Sequence, residues 1–351
     1  MAITTPVYAT REDVKTILDV KETARSNSQI DQKLEASARS IESQLRRKFY
    51  PWTGTRYLDW PTIQSPTPWR LWLGKHELVS ITTLIAGGTT IASTDYFTRP
   101  DDGPPYTSIE IDLASSAAFA AGSTRQRAIA IAGVFGHSAE ESAAGALAEA
   151  LDASETGVDV TNSAIIGVGN IVKVDSERML VTDKTMLDTG QNLTTTSLTA
   201  QANDVTVKVA DGTTFYVGET ILLDSERMLI VDIAGNSLTV KRAYDGSVLA
   251  VHTHTTTDIY ALRTLTVVRG ALGTTAATHS TAAAITKHVP PALVAELNQA
   301  EAVNMLLQGQ SGWARTTGSG DNERESSGRG LRDIRCETVA AYARRARNRA
   351  V

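Results

Sequence analysis

One stretch of this chain is written twice, and the repetition constrains the fold more than any other feature. The hexapeptide Asp-Ser-Glu-Arg-Met-Leu at 175–180 returns unchanged at 224–229, 49 positions later. A second echo has an offset of 27, because Leu-Thr-Val at 238–240 returns at 265–267. Arg242, Gly246 and His252 return at that offset as Arg269, Gly273 and His279. One repeat unit is therefore contiguous, from about 205 to 260, and the other is split around it, which predicts a small module inserted inside a copy of itself.

The repeat unit has the pattern of β-strands joined by a polar turn. Residues 205–209 alternate between valine and polar side chains, and 221–223 and 228–231 are two further β-rich runs. The Asp-Ser-Glu-Arg segment between those runs predicts a hairpin turn with solvated carboxylates at Asp175, Glu177, Asp224 and Glu226. A pair such as Asp175 with Glu177 also resembles an acid/base dyad or a cation site, and that is the less favoured interpretation.

Charge and tryptophan mark the borders of the repeated region. Between 138 and 287 there are 18 acidic and 10 basic side chains, a balance of −8, so the rest of the chain carries +3 of the net −5. All five tryptophans lie outside that region: Trp52, Trp60, Trp69, Trp72 and Trp313. We therefore predict a threonine-rich β-domain at 138–286, inserted into a discontinuous domain of 1–137 and 287–351. The Ala- and Glu-rich stretch 138–151 predicts a helix at the start of the insert.

The outer domain reads as helices with several short strands. Thr10 and Asp13 have the spacing of a capping box ahead of a helix at 11–19. A longer helix beginning at 28 has an apolar stripe at Ile30, Leu34, Ala38, Ile41 and Leu45. Another begins after the two prolines at 290–291. Strands are predicted at 71–73, 78–85, 96–97, 109–111 and 128–134. The fold class is therefore α+β, a helical core with a short β-hairpin segment, interrupted by an all-β insert of two nested modules.

Basic side chains occur in two places of the outer domain. Arg46, Arg47 and Lys48 fall at the predicted C-terminal end of the second helix, where cations favour the helix dipole, with phosphate binding as the less favoured alternative. The polar loop 318–330 is expected to be mobile. The chain after it holds seven arginines from Arg329 onward, four of which we take as a docking arm: Arg344, Arg345, Arg347 and Arg349.

Sites for catalysis, metal or cofactor have little support in the sequence. His252 and His254 could share a metal if both lay on one strand, but no third ligand is suitably spaced. The single cysteine, Cys336, excludes an internal disulfide. No phosphate-binding loop, nucleophile elbow or zinc-finger spacing occurs, so we expect a non-enzymatic protein without cofactor. No apolar run is long enough to span a bilayer and no signal-peptide pattern opens the chain, which indicates synthesis in the cytoplasm without membrane contact.

Removal of the insert reveals a resemblance. It joins Ala-Ile-Ala-Gly-Val-Phe-Gly at 130–136 to Val-Pro-Pro-Ala-Leu at 289–293, after a helix that ends in Arg-Arg-Lys-Phe-Tyr-Pro at 46–51 and the strand Leu-Val-Ser-Ile-Thr at 78–82. This order resembles the head-to-tail connector, or adaptor, proteins of long-tailed bacteriophages. It covers 6–137 and 287–351 and includes no catalytic motif. The repeated β-unit in turn resembles short modules of phage structural proteins.

The resemblance implies a structural subunit of a phage neck ring, located in the virion at the head-tail interface. Adaptors assemble as homo-oligomers, commonly dodecameric rings, that bind the portal protein and carry the next neck or tail component. Such a ring contacts passing DNA transiently and without sequence preference, and it takes part in DNA ejection. The alternative from a different class is a carbohydrate- or surface-binding virion protein that acts through the β-insert.

Overall fold

The computed structural model describes residues 3–18, 27–60, 67–310, 316–317, 324–325 and 329–344. Within these residues the chain is a mixed α+β protein, as predicted. The helices are α1 (Arg11–Leu18), α2 (Asn27–Leu45), α3 (Ala292–Gln310) and α4 (Arg329–Tyr342).

The strands before the repeated region are more numerous than a short hairpin segment. They are β1 (Trp52–Leu58), β2 (Arg70–Trp72), β3 (Leu78–Ala86), β4 (Thr89–Ile91), β5 (Tyr96–Arg99), β6 (Ser108–Ile111) and β7 (Ile129–Phe135). They form a four-stranded sheet in the order β1-β7-β3-β4 and a three-stranded sheet in the order β2-β6-β5. Because β3 and β7 have alternating buried positions, the sheets enclose an apolar core of their own.

The repeated region forms one large antiparallel sheet. Its strands are β8 (Glu141–Ala146), β9 (Gly157–Asp159), β10 (Ile171–Val174), β11 (Glu177–Asn192), β12 (Thr206–Lys208), β13 (Thr220–Leu223), β14 (Glu226–Ala234), β15 (Ser237–Lys241), β16 (Asp258–Val268) and β17 (Ala284–His288). Their order is β12-β15-β14-β13-β16-β11-β10-β17-β8, with β9 on β16. Two short strands, β18 (Thr316–Thr317) and β19 (Arg324–Glu325), pair with each other.

The nested organisation predicted from the repeat is visible in the packing. We call residues 158–183 with 265–288 the first module and residues 205–260 the second module. The second module has a core around Met228, flanked in sequence on both sides by residues of the first module's core around Met179. Both methionines are fully buried. Strand β16 continues from the second module into the first, and β11 pairs with it along its length, which joins the modules into one sheet.

The predicted starts of α1, α2 and α3 agree with the structure to within about one residue, whereas the predicted end of the first helix at 19 lies outside the described residues. The capping box at α1 forms, because the Thr10 N–H donates to Asp13 Oδ2 at 2.9 Å and the Asp13 N–H donates to Thr10 Oγ1 at 3.1 Å. The predicted stripe of α2 is buried along its whole length. Helix α3 begins directly after Pro291 and packs on α2. The buried Asn298 of α3 accepts hydrogen bonds from the N–H groups of Tyr8 and Ala9, which fixes the N-terminal segment on the helices.

The predicted helix at 138–151 is wrong. Residues Glu141–Ala146 form strand β8, paired with β17. Ala144 is fully buried in the core of the first module, and Gly145 has a φ of 95° that an α-helix does not allow. Burial against a neighbouring strand therefore overrides the helix propensity of alanine.

The first module shares a core with the helices. Val168, Ile171 and Leu180 of that module pack in one apolar cluster with residues of α1, α2 and α3. Two polar contacts add to the junction: Arg11 Nη1 donates to Asp183 Oδ1 at 2.8 Å, and Arg178 Nη1 donates to Thr53 Oγ1 at 2.6 Å. The first module of the predicted insert thus shares an apolar core with the outer domain.

Candidate functional site

The repeated hexapeptides form equivalent two-residue hairpin turns. Val174 pairs with Glu177 and Leu223 pairs with Glu226, so Asp-Ser forms the turn in each module. The turn aspartates at 175 and 224 have left-handed φ angles of 51° and 50°, which aspartate tolerates in turns. The prediction of a turn is confirmed, whereas the prediction that all four carboxylates are solvated is wrong for Glu177 and Glu226, which are fully buried.

In the second module, Glu226 is the centre of a buried ion pair. Its carboxylate accepts hydrogen bonds of 2.7 and 2.8 Å from Nε and Nη2 of Arg242. The N–H groups of Ala243 and Ala250 donate to the same carboxylate at 2.9 Å each. His252 Nε2 lies 3.0 Å from Glu226 Oε2. The pair is therefore bidentate and fully hydrogen-bonded, the arrangement in which a buried charge pair is tolerated.

The first module repeats this arrangement. Glu177 accepts hydrogen bonds from Nε and Nη2 of Arg269 at 2.7 and 2.8 Å. The N–H groups of Gly270 and Ala277 donate at 2.9 Å each, and His279 Nε2 lies 3.0 Å away. We call each set an ion-pair lock: Asp175, Glu177, Arg269 and His279 in the first module, and Asp224, Glu226, Arg242 and His252 in the second.

The histidine of each lock connects the buried glutamate to the exposed turn aspartate. His252 Nδ1 lies 2.7 Å from Asp224 Oδ2, and His279 Nδ1 lies 2.8 Å from Asp175 Oδ2. Each imidazole therefore lies between two carboxylates, one buried and one exposed. The lock thus closes a turn onto a loop that is remote in sequence.

The locks are structural by their chemistry. Burial alone would raise the pKa of Glu177 and of Glu226, but the bonds from the arginine, the histidine and the two N–H groups outweigh it and lower each pKa to about 2. A carboxylate that is enclosed, ionised and already hydrogen-bonded has no room for a substrate proton or a cation. The interpretation of Asp175 with Glu177 as a dyad or cation site has no geometric support.

A further buried ion pair of the repeated region, between Glu219 and Arg263, was not predicted either. Glu219 accepts bonds of 2.7 and 2.8 Å from Nε and Nη2 of Arg263. Its carboxylate also accepts from Ser163 Oγ at 3.2 Å, so it links the second module to the first. The available signal was a break in the repeat, since the position equivalent to Glu219 at an offset of 49 is Asn170.

The two histidines considered for metal do not converge. His252 is fully buried in its lock with both nitrogens engaged. His254 is exposed and lies 2.9 Å from Ser197 Oγ through its Nδ1. Within the described ranges, no group of three His, Cys, Asp or Glu side chains has the geometry of a metal site. Cys336 is exposed on α4.

A basic cleft of about 870 Å³ lies beside the predicted run of cations at 46–48. It lies where the end of α2 meets β1, the segment before β3 and the loop of the first module at 272–273. We define this basic cleft by its six Arg and Lys side chains: Arg39, Arg46, Arg47, Lys48, Arg56 and Lys75. Two carboxylates, Glu42 and Glu77, also line it.

The cations of the run 46–48 enter the cleft because α2 ends at Leu45. Arg46 has a left-handed φ of 53°, the conformation that commonly ends a helix and turns the chain away from its axis. Arg46 and Lys48 are exposed, whereas Arg47 is partly buried. The run therefore lies beyond the last helical turn and lines a cavity, an arrangement that helix-dipole reasoning alone does not describe.

Both carboxylates of the cleft are already engaged by their own chain. Glu42 accepts a hydrogen bond from the Tyr8 hydroxyl at 2.7 Å and pairs with Arg39 Nη2 at 2.8 Å. The buried Glu77 has Nε of Arg47 and Nε of Arg344 at 3.1 Å each. Arg46, Arg56 and Lys75 form no salt bridge with either of these carboxylates.

Aromatic rings position one of these cations. The Arg56 guanidinium lies 4.1 Å from the ring centroid of Trp52 and 5.8 Å from that of Phe135. The Trp52 ring occupies the space that a side chain at residue 54 would need, because a Cβ on Gly54 would lie 2.2 Å from it. Gly54 is therefore required for this stacked geometry.

Burial, together with the positive charge of the cleft, lowers the pKa of two nearby histidines, His76 and His137. Burial lowers the pKa of His76, and the cations Arg56, Lys75 and Arg344 lower it further. Burial, followed by Arg47 and Arg344, lowers the pKa of His137 to about 4. Both imidazoles are thus kept neutral near pH 7 by surroundings that disfavour any additional positive charge.

Of the four arginines predicted to dock a partner, Arg344 is described. Its Nε bonds to Glu77, and its N–H donates to the Leu45 carbonyl oxygen at 3.3 Å, so it lies at the border of the basic cleft. Arg345, Arg347 and Arg349 lie outside the described residues. Most of the loop predicted at 318–330 does too, although Arg324–Glu325 is strand β19 and α4 begins at Arg329.

No helix in the described part of the chain is long and apolar enough to cross a bilayer. Comparisons of this chain with protein-family models, with curated proteins and with solved structures found no match.

Proposed function

We propose that this chain is a structural subunit of a phage neck ring that joins the portal protein to the next neck or tail component. In this proposal the outer domain forms a homo-oligomeric ring, expected to be dodecameric, around the DNA passage. The arm at Arg344, Arg345, Arg347 and Arg349 docks on the portal. The protein acts in the virion by binding rather than by catalysis.

The observation that carries the proposal is the way the chain enters and leaves the repeated region. Glu141 pairs with His288 in neighbouring strands, and the Val289 N–H donates to the Glu140 carbonyl oxygen at 2.9 Å. His288 Nε2 lies 2.8 Å from the Phe49 carbonyl oxygen, close to the end of α2. The two ends of the repeated region therefore lie next to each other. The elements outside this region follow one another as in an adaptor without an insert: α2, the two sheets of β1 to β7, α3 and α4.

The position of Arg344 supports docking by the arm. Its bond to Glu77 fixes the beginning of the arm beside the basic cleft, while α4 is held on the helical core through Leu331, Ile334 and Tyr342. A truncation after Gly330 would remove those core contacts together with the arm. Substitution of the arginines alone is therefore the cleaner test.

The test compares two fourfold variants with the native chain. The arm variant carries Arg344→Ala, Arg345→Ala, Arg347→Ala and Arg349→Ala. The matched control carries Lys33→Ala, Arg125→Ala, Arg127→Ala and Arg332→Ala, which removes the same charge from the outer domain elsewhere. Each protein is mixed with purified portal of the same virus, and the complexes are measured by native mass spectrometry and negative-stain imaging.

We expect the native chain and the control to form portal-bound rings and the arm variant to lose portal binding by about 100-fold or more, as for removal of several interface charges. Circular dichroism checks that the arm variant is folded. Portal-bound rings of the arm variant would contradict the docking role. Absence of portal binding by the native chain, with binding to host-cell glycans instead, would favour the surface-binding alternative.

A further inference from the structure

The part of the basic cleft around Glu77 has more positive charge than this carboxylate neutralises. Arg47 and Arg344 both approach Glu77 Oε1, each with its Nε at 3.1 Å. Arg56 and Lys75 line the same cleft and form no salt bridge with any residue that the structure describes. Four cations therefore face one buried carboxylate, which leaves an excess of positive charge in a concave place.

The neighbouring imidazole of His76 shows that three of these cations act on one point. Burial lowers the pKa of His76, and Arg56, Lys75 and Arg344 lower it further. The three cations come from β1, from the segment before β3 and from the end of the described chain after α4. An anion bound among them would oppose their effect on the imidazole.

Two guanidinium groups of the cleft have donors that their own chain leaves unused. The Nε atoms of Arg47 and Arg56 are buried and donate no hydrogen bond to the residues that the structure describes. Although Arg47 Nε lies 3.1 Å from Glu77 Oε1, the hydrogen bond to that oxygen comes from Arg344 Nε. A buried donor without an acceptor costs free energy, so an oxyanion that accepts from these groups would be favoured.

The walls of the cleft hold these donors in place. The Arg56 guanidinium lies 4.1 Å from the ring centroid of Trp52. Gly136 lines the cleft where two backbones touch, since a Cβ on it would lie 2.5 Å from the Tyr50 carbonyl oxygen. Donors that are fixed before a ligand arrives lose little conformational entropy when it binds.

The arrangement of the donors narrows the kind of anion. They reach the cleft from separate segments of the chain, whereas a carboxylate is planar and has one charge and two oxygens. A phosphate group has more charge and directs its oxygens tetrahedrally, and arginine recognises it with paired donors. The volume of about 870 Å³ leaves room for more than one such group. A long polyanion is disfavoured by the net charge of −5 on the whole chain.

We propose that the basic cleft is a binding site for a compact oligophosphate anion, of the class of pyrophosphate and tripolyphosphate, held by Arg47, Arg56 and Lys75. The inference goes beyond the proposed function, because it assigns a small ligand to a surface that needs neither the portal nor a second copy of the chain.

The experiment measures binding to the full-length protein by isothermal titration calorimetry in a low-salt buffer without phosphate. The titrants are inorganic phosphate, pyrophosphate and tripolyphosphate. The cleft variant carries Arg56→Gln and Lys75→Gln. The matched control carries Arg125→Gln and Arg332→Gln, which removes the same charge at exposed positions, and Arg125 also lies over a tryptophan ring. Circular dichroism melting checks that each protein is folded.

We expect the native chain to bind one oligophosphate per chain, with affinity that rises from phosphate to pyrophosphate to tripolyphosphate and falls as salt is added. The cleft variant should bind pyrophosphate about 100-fold more weakly or worse, because it lacks two charged donors. Lys75→Gln alone, at an exposed position, should weaken binding by about 10-fold. The control should bind as the native chain does.

A second measurement needs no change in the cleft cations. The titration of the His76 ring is followed by NMR in the native chain, with His76→Gln used to assign its signals. Saturating pyrophosphate should raise the pKa of His76, because the bound charge offsets the neighbouring cations. A merely structural role of these cations would leave the titration unchanged.

Three results would overturn the inference: a native chain that binds neither oligophosphate at low salt, a folded cleft variant that binds pyrophosphate as the native chain does, or a His76 titration that saturating pyrophosphate does not move. A labelled random-sequence DNA duplex is tested in parallel. Duplex binding that the cleft variant abolishes, in a chain that does not bind pyrophosphate, would also overturn it and would assign the cleft to nucleic acid.

Discussion

Gly169 and Gly218 are equivalent positions of the two modules, yet only Gly169 is pressed against another part of the chain. A Cβ on Gly169 would lie 2.5 Å from the Val7 side chain, whereas one on Gly218 would meet only Ala164, at 3.8 Å. The preceding residues differ in the same way: Val168 is fully buried, and Val217 is 55% exposed. The same local sequence therefore faces the helices in the first module and solvent in the second.

The loops that follow the lock arginines differ in the same sense. Leu272 of the first module packs against the helical core, and its equivalent in the second module is Asp245. Asp245 pairs with Lys15 at 2.6 Å and with Arg227 at 2.7 Å. The locks fix the internal geometry of each module, and the residues around them are suited to different neighbours. The repeated residues hold the module together, and the unrepeated ones determine where it packs.

The largest effect is expected when the buried carboxylate is removed from each lock, which tests whether the repeated residues stabilise both modules alike. Glu177→Gln and Glu226→Gln both leave a buried guanidinium and a histidine without their anion, so we expect each to destabilise the protein by about 3–5 kcal/mol. Urea denaturation measures the loss, with Glu149→Gln at an exposed position as the control. Nearly equal costs are expected despite the different surroundings, and a loss confined to one module would contradict equivalence of the locks.

Acid provides an independent check of the same locks. The folded pKa of Glu177 and of Glu226 is lowered from 4.5 to about 2, so their contribution to stability is complete above about pH 4.5. It is lost as the pH falls through about 2, because the carboxylates then bind protons in the folded state as well. The difference in unfolding free energy between native protein and Glu226→Gln should therefore shrink between pH 4.5 and 2. A difference that stays constant over this range would assign the cost to packing rather than charge.

The members of the locks could be found in the sequence, but their pairing could not. The repeat at an offset of 49 contains Glu177 and Glu226, and the repeat at 27 contains the arginines and histidines. Acidic residues are kept in one repeat and basic residues in the other, and this complementarity could have indicated that they pair. Arg269 is nevertheless 92 residues from Glu177. An acidic turn, taken by itself, predicts that its carboxylates are exposed to solvent. The glutamates are buried because the chain folds one module inside the other and brings distant loops over the turn.

The basic cleft shows a second limit. Arg46, Arg47 and Lys48 are adjacent in sequence, but Arg56 and Lys75 reach the same cavity only because β1 and the segment before β3 fold back on the end of α2. Elements with strong local signals, such as the α1 capping box, were predicted within about one residue. The helix prediction for 138–151 was wrong because local propensity does not include the pairing with β17, which lies far along the chain.

A smaller effect is expected where both modules bury the same apolar side chain. Met179 and Met228 are both fully buried, each in its own module core. Met179→Ala and Met228→Ala should each cost about 2–5 kcal/mol, as for other buried methionines, and the two values should agree within about 1 kcal/mol. Met186→Ala, at a partly buried position, is the control and should cost less. Unequal values, measured by urea denaturation, would show that the cores respond to their different neighbours.

The smallest expected difference isolates the contact of the first module with β1. Gly273 and Gly246 are equivalent and have similar φ angles of 81° and 77°, so alanine at either position incurs the same backbone strain, about 1 kcal/mol. A Cβ on Gly246 meets nothing within 4 Å, whereas one on Gly273 would lie 1.9 Å from the Thr53 carbonyl oxygen. Gly273→Ala must therefore displace the loop from β1, and we expect a further cost of about 1–3 kcal/mol from overpacking.

Gly74→Ala, with a φ of 62° and open space around its Cβ, measures the strain alone. Hydrogen exchange at Thr53 and its neighbours should increase for Gly273→Ala and stay unchanged for Gly246→Ala. Equal costs for the two substitutions, with unchanged exchange in β1, would mean that the first module does not rest on β1 in solution.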